Sequence, residues 1–501
     1  MTIELVRARQ VVTGIRDRFT AEVLDDAAVA HDAGRIVAVD SFATLRAQHP
    51  DAPVQHFPRH MLLPGFVNAH HHVGLTPLQL GSPDHPLELW FASRLSSRDI
   101  DPVLDTLYGA FEMVASGVTC VQHLHPRMAG PAEGVVAGCM KVLGAYSRIG
   151  MRASFAYSVR EQNRLVYGDD TAFCATLPGD LGPEMLAHLR RFSLSFNDQM
   201  AVYAALRDAH AGSPRTRIQL APANLHWVTD DGLMTMVEQA RSDDVPLHMH
   251  LLETPFQREY ARRRTGTTAV RHLHRLGALG PSMTLGHAVW VDEGDIELLA
   301  HTGTCVCHNC SSNLRLRSGT APVNAMARHG IVTALGIDEA GLNDDRDMLQ
   351  EMRLALRIHR RPGLDAADVP TCAQVLRMAT EHGAATTGFR HQIGRLAPGL
   401  RFDAVAIDAN AATWPYQDDQ VAPLDALLQR AKPQHVDTVF VDGDPIYAKG
   451  RFKYVDRDAV LAEIAQMLSR PPSGAELRRR HLAEAVMPHV RAFYDGYLQG
   501  A

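Results

Sequence analysis

Apolar runs alternate with longer helical patterns through the middle of the chain, from about residue 62 to 394. The runs are rich in β-branched and other apolar residues, and they lie at 117–121, 152–158, 218–221, 246–250, 283–287, 304–308 and 331–336. The intervening patterns, such as 231–242 and 348–359, place apolar residues at helical spacing. Alternation repeated about eight times predicts an α/β fold, a parallel (β/α)8 barrel of the TIM type, whose catalytic residues lie at the carboxyl ends of the strands.

β-rich segments of similar texture flank this middle region on both sides. The first block has short runs at 6–12, 28–32 and 35–39, and the second has them at 402–408, 436–441 and 445–454. We expect a small β-sandwich built from both termini, with the barrel inserted between its halves. The predicted division is a β-sandwich domain from 1–60 and 395–455, a metal-dependent barrel from 61–394, and a C-terminal helical extension from 456–501.

Polar residues stand where the predicted strands end. They are His70, His72, His123, His250, His287, His308 and Asp338. Imidazole or charged groups at the ends of buried strands are costly unless they are paired or bind something. In NAHHH, His70 and His72 alternate along an extended segment, so both can face one metal ion. In HMHLLET, Glu253 closely follows His250, which suits a metal ligand followed by a proton shuttle.

Composition limits the classes of function. The 501-residue chain has a formal net charge of −6 and no basic arm, so no nucleic acid partner is expected. It has no secretory pattern and no run of about 18 apolar residues, so no membrane span is expected. The odd number of scattered cysteines, 7, argues against a disulfide framework, and the expected location is the cytoplasm. For the cluster of Cys305, Cys307 and Cys310, a pocket-lining strand and loop is favoured over structural zinc, because no fourth ligand has suitable spacing.

Five motifs, in this order, resemble the amidohydrolase superfamily, and within it the cytosine-deaminase-like branch that includes the triazine hydrolases. They are PGFVNAHHH, HMHLLET, LGHAVWVD, HNCSSNLRLRSGTAPV and GIDEAGLNDDRDMLQEMR, and the resemblance extends over about residues 5–455. It implies one divalent metal, zinc by preference with iron(II) or manganese as alternatives, bound by His70, His72, His250 and Asp338. It also implies that Glu253 and His287, together with Asp338, act as acid and base.

Some positions near this site depart from the pattern of the branch. Glu339 follows Asp338 where small residues are common, and Cys310 replaces a proline. Ala223 stands where some members have a substrate-contacting histidine, so a nucleoside-type contact is not expected. The candidate substrate-binding residues are Gln79, Trp90, His123, His226, Glu339 and Cys310. Four arginines in predicted loops either receive a substrate carboxylate or are simply solvated, namely Arg98, Arg127, Arg160 and Arg315.

The predicted function is hydrolysis. A divalent metal lowers the pKa of bound water to about 7, which supplies a nucleophile that can displace a leaving group from an sp² carbon of a nitrogen heterocycle. Ammonia is the expected leaving group, which makes the chain a heterocycle deaminase acting on a small molecule. The same machinery serves release of sulfide or chloride or opening of a cyclic amide, and a non-catalytic scaffold is the distant alternative. The resemblance also predicts a homo-oligomer, a dimer or larger.

Overall fold

The computed structural model describes residues 2–499, and within that range it contains 17 strands and 20 α-helices. The strands are β1 Ile3–Ile15, β2 Ala21–Asp32, β3 Arg35–Ser41, β4 Val54–Pro64, β5 Phe66–His71, β6 Val118–His125, β7 Arg152–Val159, β8 Thr216–Ile218, β9 Ala221–Pro222, β10 Leu247–Leu251, β11 Met283–His287, β12 Cys305–His308, β13 Thr333–Leu335, β14 Ala404–Asp408, β15 Val436–Val441, β16 Asp444–Ala448 and β17 Arg451–Phe452. The helices are α1 Phe42–Gln48, α2 Leu87–Ser93, α3 Pro102–Ala115, α4 Ala132–Ile149, α5 Asp170–Ala175, α6 Leu181–Arg190, α7 Phe196–Ala209, α8 Asp230–Asp243, α9 Pro255–Thr265, α10 Ala269–Arg275, α11 Glu293–Thr302, α12 Cys310–Arg315, α13 Val323–Arg328, α14 Met348–Ile358, α15 Cys372–Ala379, α16 Glu381–Ala385, α17 Ala409–Thr413, α18 Pro423–Arg430, α19 Arg457–Leu468 and α20 Gly474–Tyr494.

One eight-stranded sheet joins the two ends of the chain. Its strand order is β17-β16-β15-β14-β4-β1-β2-β3. β1 pairs antiparallel with β2 and parallel with β4, and β14 pairs antiparallel with β4, placing Leu62 opposite Ala406. Both residues belong to a buried apolar cluster with Phe402 and Phe440. Strands from both termini therefore share one core, as the two β-rich blocks predict, in the form of one continuous sheet.

The middle of the chain forms the predicted barrel. β5 to β8 and β10 to β13 form two groups of parallel strands, with β9 beside β7. Single bridges connect the groups at both sides, with Leu220 opposite Leu247 at one junction and His71 opposite Asp338 at the other. The strands are buried almost throughout, which is typical of parallel strands covered by helices. The expected (β/α)8 architecture is confirmed.

A buried ion pair connects the barrel to the terminal sheet. Arg152, at the start of β7, is fully buried, and its guanidinium donates to both carboxylate oxygens of Asp403 at 2.6 and 3.0 Å. Asp403 lies directly before β14.

The predicted domain boundary at residue 60 falls inside β4, which runs from the sheet toward the barrel. The division into domains stays a prediction.

The C-terminal helix α20 packs on the barrel. It begins at a capping box in which the Ser473 hydroxyl accepts from the amide of Glu476, whose carboxylate accepts from the Ser473 amide. Its buried face, including Leu482, Val486 and Val490, packs with residues that follow β7 and with α2. The extension is therefore part of the wall above the barrel.

Two expectations from composition concern disulfide bonds and membrane-spanning helices. All seven cysteines are buried, and each is a free thiol. Within residues 2–499, no helix combines the length and the apolar character that crossing a membrane requires.

Candidate metal centre and substrate cavity

The four predicted ligands meet at the carboxyl-terminal edge of the barrel. His70 lies in β5 with His72 just beyond it, His250 lies in β10, and Asp338 follows β13. At the closure between β5 and β13, the amide of Asp338 donates a hydrogen bond of 2.8 Å to the carbonyl of His70. Parallel strands thus bring side chains from distant parts of the sequence to one point.

The donor atoms of these four residues face one another at short range. Nε2 of His72 lies 3.1 Å from Nε2 of His70 and 3.1 Å from Nε2 of His250. It lies 3.2 Å from Oδ1 of Asp338, which is 3.7 Å from Nε2 of His70. Ligands at about 2.0–2.2 Å from a tetrahedral zinc ion are about 3.3–3.5 Å apart. The spacing therefore fits one divalent cation between them.

Hydrogen bonds at Nδ1 of His72 and of His250 indicate which ring nitrogen carries the proton. Nδ1 of His72 lies 2.6 Å from the carbonyl oxygen of Leu124, and Nδ1 of His250 lies 2.7 Å from that of Ala223. A carbonyl oxygen only accepts, so each Nδ1 carries the proton and each Nε2 of a neutral ring presents a lone pair. Lone pairs converging without protons repel one another unless a cation lies between them. This arrangement fits a metal.

The pKa values of the four residues depend on burial and on one another. Burial opposes protonation of His72, but the hydrogen bond and charge of Asp338 outweigh it and raise the pKa of that ring. Burial, followed by repulsion from the neighbouring rings, lowers the pKa of His70 and of His250 well below the usual range. Burial opposes ionisation of Asp338, but the hydrogen bond and charge of His72 outweigh it and lower the pKa of that carboxyl. Neutral imidazoles with one carboxylate are a donor set for zinc, iron(II) or manganese.

Glu253 and His287 lie beside the four ligand candidates. Nε2 of His287 is 3.7 Å from Oε2 of Glu253 and 3.8 Å from Oδ2 of Asp338. Burial raises the pKa of the Glu253 carboxyl well above its usual value, and the charges of Asp338 and Glu88 raise it further. Burial therefore favours the protonated form of Glu253, next to a histidine whose pKa burial lowers.

The backbone at this site is strained. His287 has φ 71° and Asp338 has φ 64°, both in the left-handed region. This conformation costs roughly 1–2 kcal/mol for a residue other than glycine. Tertiary contacts hold it in place: Nδ1 of His287 is 2.9 Å from Oδ1 of Asn313, and the Ser312 hydroxyl donates to Oδ2 of Asp338 at 2.5 Å. Strain of this kind concentrates at functional sites.

A cavity of about 320 Å³ opens above the candidate ligands. Its floor includes His72, His250, Glu253, His287 and Asp338. Its walls carry four large aromatic side chains, Trp90, Phe91, Phe192 and Trp227, and six arginines, Arg94, Arg98, Arg127, Arg160, Arg164 and Arg479. Cavities of this size accept small organic molecules.

Two of the predicted substrate-binding residues line this cavity. They are Trp90 and Glu339. The carboxylate of Glu339 accepts from Arg94, whose guanidinium carbon lies 4.7 Å from the ring centroid of Trp90. Of the four loop arginines, three line the cavity, namely Arg98, Arg127 and Arg160. The fourth, Arg315, forms ion pairs with Asp84 at 2.9 Å and with Asp344 at 2.8 Å.

The structure places the other four candidates away from the walls of this cavity, and their roles stay predictions. Gln79 is exposed and donates to the Tyr108 hydroxyl at 2.9 Å. His123 is buried, with Nδ1 2.8 Å from the Tyr146 hydroxyl. The His226 ring stacks between those of Tyr167 and Trp227, with centroids 4.2 Å from each. Cys310 is fully buried.

The three clustered cysteines have different surroundings. Sγ of Cys305 contacts the Pro281 carbonyl at 3.9 Å, and Sγ of Cys307 contacts Oδ1 of Asn309 at 3.5 Å. Sγ of Cys310 lies 2.8 Å from Nε2 of His308, which lies 2.8 Å from Nε2 of His359. The cluster does not gather its three thiols at one point.

Sequence reasoning missed cavity residues that come from outside the strand ends. Arg94 follows α2, Arg164 lies after β7, and Arg479 comes from α20. The capping box at Ser473 predicts where α20 begins, but no local signal shows which of its residues reaches the cavity.

Comparison with known proteins confirms the resemblance to the amidohydrolases. The Amidohydrolase family pattern matches residues 61–446, and an imidazolonepropionase-like composite domain of bacteria matches 27–52. A 5-methylthioadenosine/S-adenosylhomocysteine deaminase of Nitratidesulfovibrio vulgaris is 28% identical over 468 residues, covering 92% of this chain and 96% of that protein. An adenosine deaminase of Xanthomonas campestris, solved with bound zinc, has a TM-score of 0.77 at 26% identity and covers 93% of this chain and 98% of its own. An atrazine chlorohydrolase of Arthrobacter aurescens, at 20% identity, TM-score 0.76 and coverage of 93% and 99%, shares the fold. The chain belongs to the amidohydrolase family.

Proposed function

We propose that this amidohydrolase is a metal-dependent deaminase that releases ammonia from a small nitrogen heterocycle. It is a hydrolase of carbon–nitrogen bonds other than peptide bonds. The observation that carries the proposal is the convergence of three imidazole Nε2 atoms and one carboxylate at 3.1 to 3.7 Å beneath a cavity. Relatives named as adenosine-type deaminases support ammonia as the leaving group.

His70, His72, His250 and Asp338 would hold the metal, and zinc is the metal we propose. The zinc in the related adenosine deaminase supports this choice, as does the donor set of three imidazoles and one carboxylate. When bound, a divalent cation supplies a nucleophile at neutral pH by lowering the pKa of a water ligand to about 7.

Glu253 is the proposed proton donor to the substrate. Its carboxyl borders the cavity, and burial and the nearby carboxylates raise its pKa by disfavouring the ionised form. Protonation of a ring nitrogen makes the adjacent carbon more electrophilic. His287 lies between Glu253 and Asp338, at 3.7 and 3.8 Å, so these three side chains can pass protons across the reacting carbon.

The overall reaction consumes one water molecule. Its oxygen forms a bond to the ring carbon, the bond from that carbon to the amino nitrogen breaks, and the two water protons are shared between ammonia and the ring amide. Asp338, ionised despite its burial, can take up a proton in this exchange. The aromatic walls at Trp90 and Trp227 suit a planar ring.

Metal content and ammonia release test the proposal. The zinc-loaded chain is assayed with aminated pyrimidines, purines and triazines, and with matched chloro and thioxo compounds, for ammonia, chloride and sulfide. We expect ammonia release by the wild type, and loss of both metal and turnover in Asp338→Asn and His250→Ala. Full turnover in either variant, or release of chloride or sulfide alone, would contradict it.

We also propose a cytoplasmic enzyme that is a dimer or larger. Seven free, buried thiols support a reducing compartment. Light scattering of the purified chain measures the oligomeric state, and a monomer at micromolar concentration would contradict that part.

A further inference from the structure

Four of the six arginines around the cavity are already paired with carboxylates. Arg94 pairs with Glu339, Arg98 with Glu476, Arg164 with Asp170, and Arg479 with Asp99. Arginine guanidinium groups this close to a cavity are normally neutralised in this way, because an unpaired buried charge is costly.

Arg127 and Arg160 differ from the other four. Across residues 2–499, neither guanidinium has a carboxylate partner or a hydrogen-bond acceptor. Nη1 of Arg127 and Nε of Arg160 are nevertheless shielded from solvent. Each guanidinium contacts an aromatic face instead, with Arg160 3.4 Å from the ring centroid of Trp227 and Arg127 5.4 Å from that of Phe192. Two guanidinium groups in one cavity wall therefore have no carboxylate at ion-pair distance, although the charges of Glu339 and Asp170 reach Arg160 and Arg127, respectively.

The barrel brings these two arginines together. Arg127 follows β6 and Arg160 follows β7, and these strands are parallel neighbours whose carboxyl ends open into the cavity. Burial, and then repulsion from Arg127 and Arg94, lowers the pKa of Arg160. Burial and repulsion from Arg164 lower the pKa of Arg127 to about 10, which leaves it charged at neutral pH. An anion bound here would relieve this repulsion.

The arginine pair lies close to the metal centre. Trp227, on which Arg160 stacks, has its ring centroid 6.4 Å from that of the predicted ligand His250. Arg160 and the predicted ligand His250 thus lie against the same Trp227 ring, and all three residues line the cavity.

We propose that Arg127 and Arg160 form an anion subsite, and that the heterocyclic substrate carries a carboxylate or a phosphate close to the ring that is hydrolysed. This inference rests on the proposed deaminase function, whose substrate it narrows to acidic heterocycles. Guanidinium groups bind both anions through paired N–H donors, so the two share one chemistry.

Matched pairs of compounds test the subsite on the zinc-loaded full chain. The carboxylate arm compares cytosine with 5-carboxycytosine and pterin with pterin-6-carboxylate, and the phosphate arm compares adenosine with its 5′-monophosphate. Binding is measured by calorimetry and turnover by ammonia release. We expect the acidic member of at least one pair to bind about 10- to 100-fold more tightly, as charge-assisted hydrogen bonds predict. The arm in which this occurs identifies the anion.

Variants then assign the effect to the two arginines. Arg160→Gln and Arg127→Gln should each remove most of the preference for the acidic member, while Arg160→Lys restores part of it. Arg262→Gln is the control, because Arg262 lies on α9 outside the cavity lining and donates to Glu259 at 2.8 Å. Thermal unfolding confirms that each variant is folded.

Two outcomes would overturn the subsite. One is that no acidic member binds more tightly than its neutral partner, and the other is that the preference survives in both glutamine variants. Failure of the deaminase proposal is distinguishable from failure of the subsite. No compound of either charge would then release ammonia, but the binding measurements would still show whether the acidic member of each pair binds more tightly.

Discussion

Nδ1 of His70 lies 2.8 Å from Nε2 of His248, and both rings are fully buried. His248 and His250 are two residues apart in β10 and face the same side of the strand. Their ring centroids lie 4.8 and 4.7 Å from that of His70. For His70 to present a lone pair from Nε2, its proton must sit on Nδ1 and be donated to His248. His248 therefore positions a proposed ligand without being one.

Replacing His248 with alanine should weaken zinc binding about 10- to 100-fold, because groups that orient a ligand typically have effects of this size. His248→Gln, which keeps an acceptor, should recover part of the loss. Competition with a chromophoric chelator measures the affinity. His301→Asn is the control, since His301 is exposed on α11. Unchanged affinity in His248→Ala would exclude the positioning role.

The protonated state of Glu253 sets a pH dependence. A carboxyl must carry its proton in order to donate it, and burial raises the pKa of Glu253 well above its usual value. The carboxyl therefore loses its proton at a higher pH than an ordinary glutamate, and kcat/KM should fall as the pH rises through the raised pKa. Glu253→Gln should lower kcat about 100- to 10,000-fold, abolish this alkaline limb and leave zinc content unchanged. An alkaline limb of the same midpoint in the variant would assign it to another group.

The sequence predicted the parts of the site that depend on strand periodicity. His70, His72, His250 and Asp338 were identifiable because each stands at or just after the end of an apolar run, and the ends of parallel barrel strands meet. The spacing of His70 and His72 also indicated that both face one point.

Periodicity does not show where a polar side chain points once the strand has ended. His226 follows β9, yet its ring is packed between two aromatic rings, and Cys310, at the start of α12, turns toward His308. Arg479 reaches the cavity from a helix whose docking depends on long-range packing. Contacts of this kind are set by tertiary structure, which a local pattern does not contain.

The ion pair between Arg152 and Asp403 should contribute strongly to stability once one partner is removed. Both side chains are buried, so Asp403→Asn leaves an incompletely compensated guanidinium in the core and should lower the free energy of unfolding by about 3–5 kcal/mol. Asp26→Asn, which disrupts the partly exposed pair with Arg7, should cost less than about 1 kcal/mol. Urea unfolding of the two variants measures the difference, and equal losses would contradict the role of burial.

Gly336 controls the approach of β13 to the metal centre. A Cβ atom at this position would lie 2.5 Å from Cβ of His70 and 2.4 Å from Oδ1 of Asn309, so Gly336→Ala must displace one of them. Overpacking of this kind costs about 1–3 kcal/mol, and displacement of His70 separates the donor atoms that would bind zinc. We expect lower zinc affinity and lower thermal stability together. Gly144→Ala is the control, because its added methyl meets nothing within 4 Å on α4 and should stabilise the helix by roughly 0.5–1 kcal/mol. If Gly336→Ala bound zinc as tightly as the wild type, the close approach of Gly336 would have no part in holding His70.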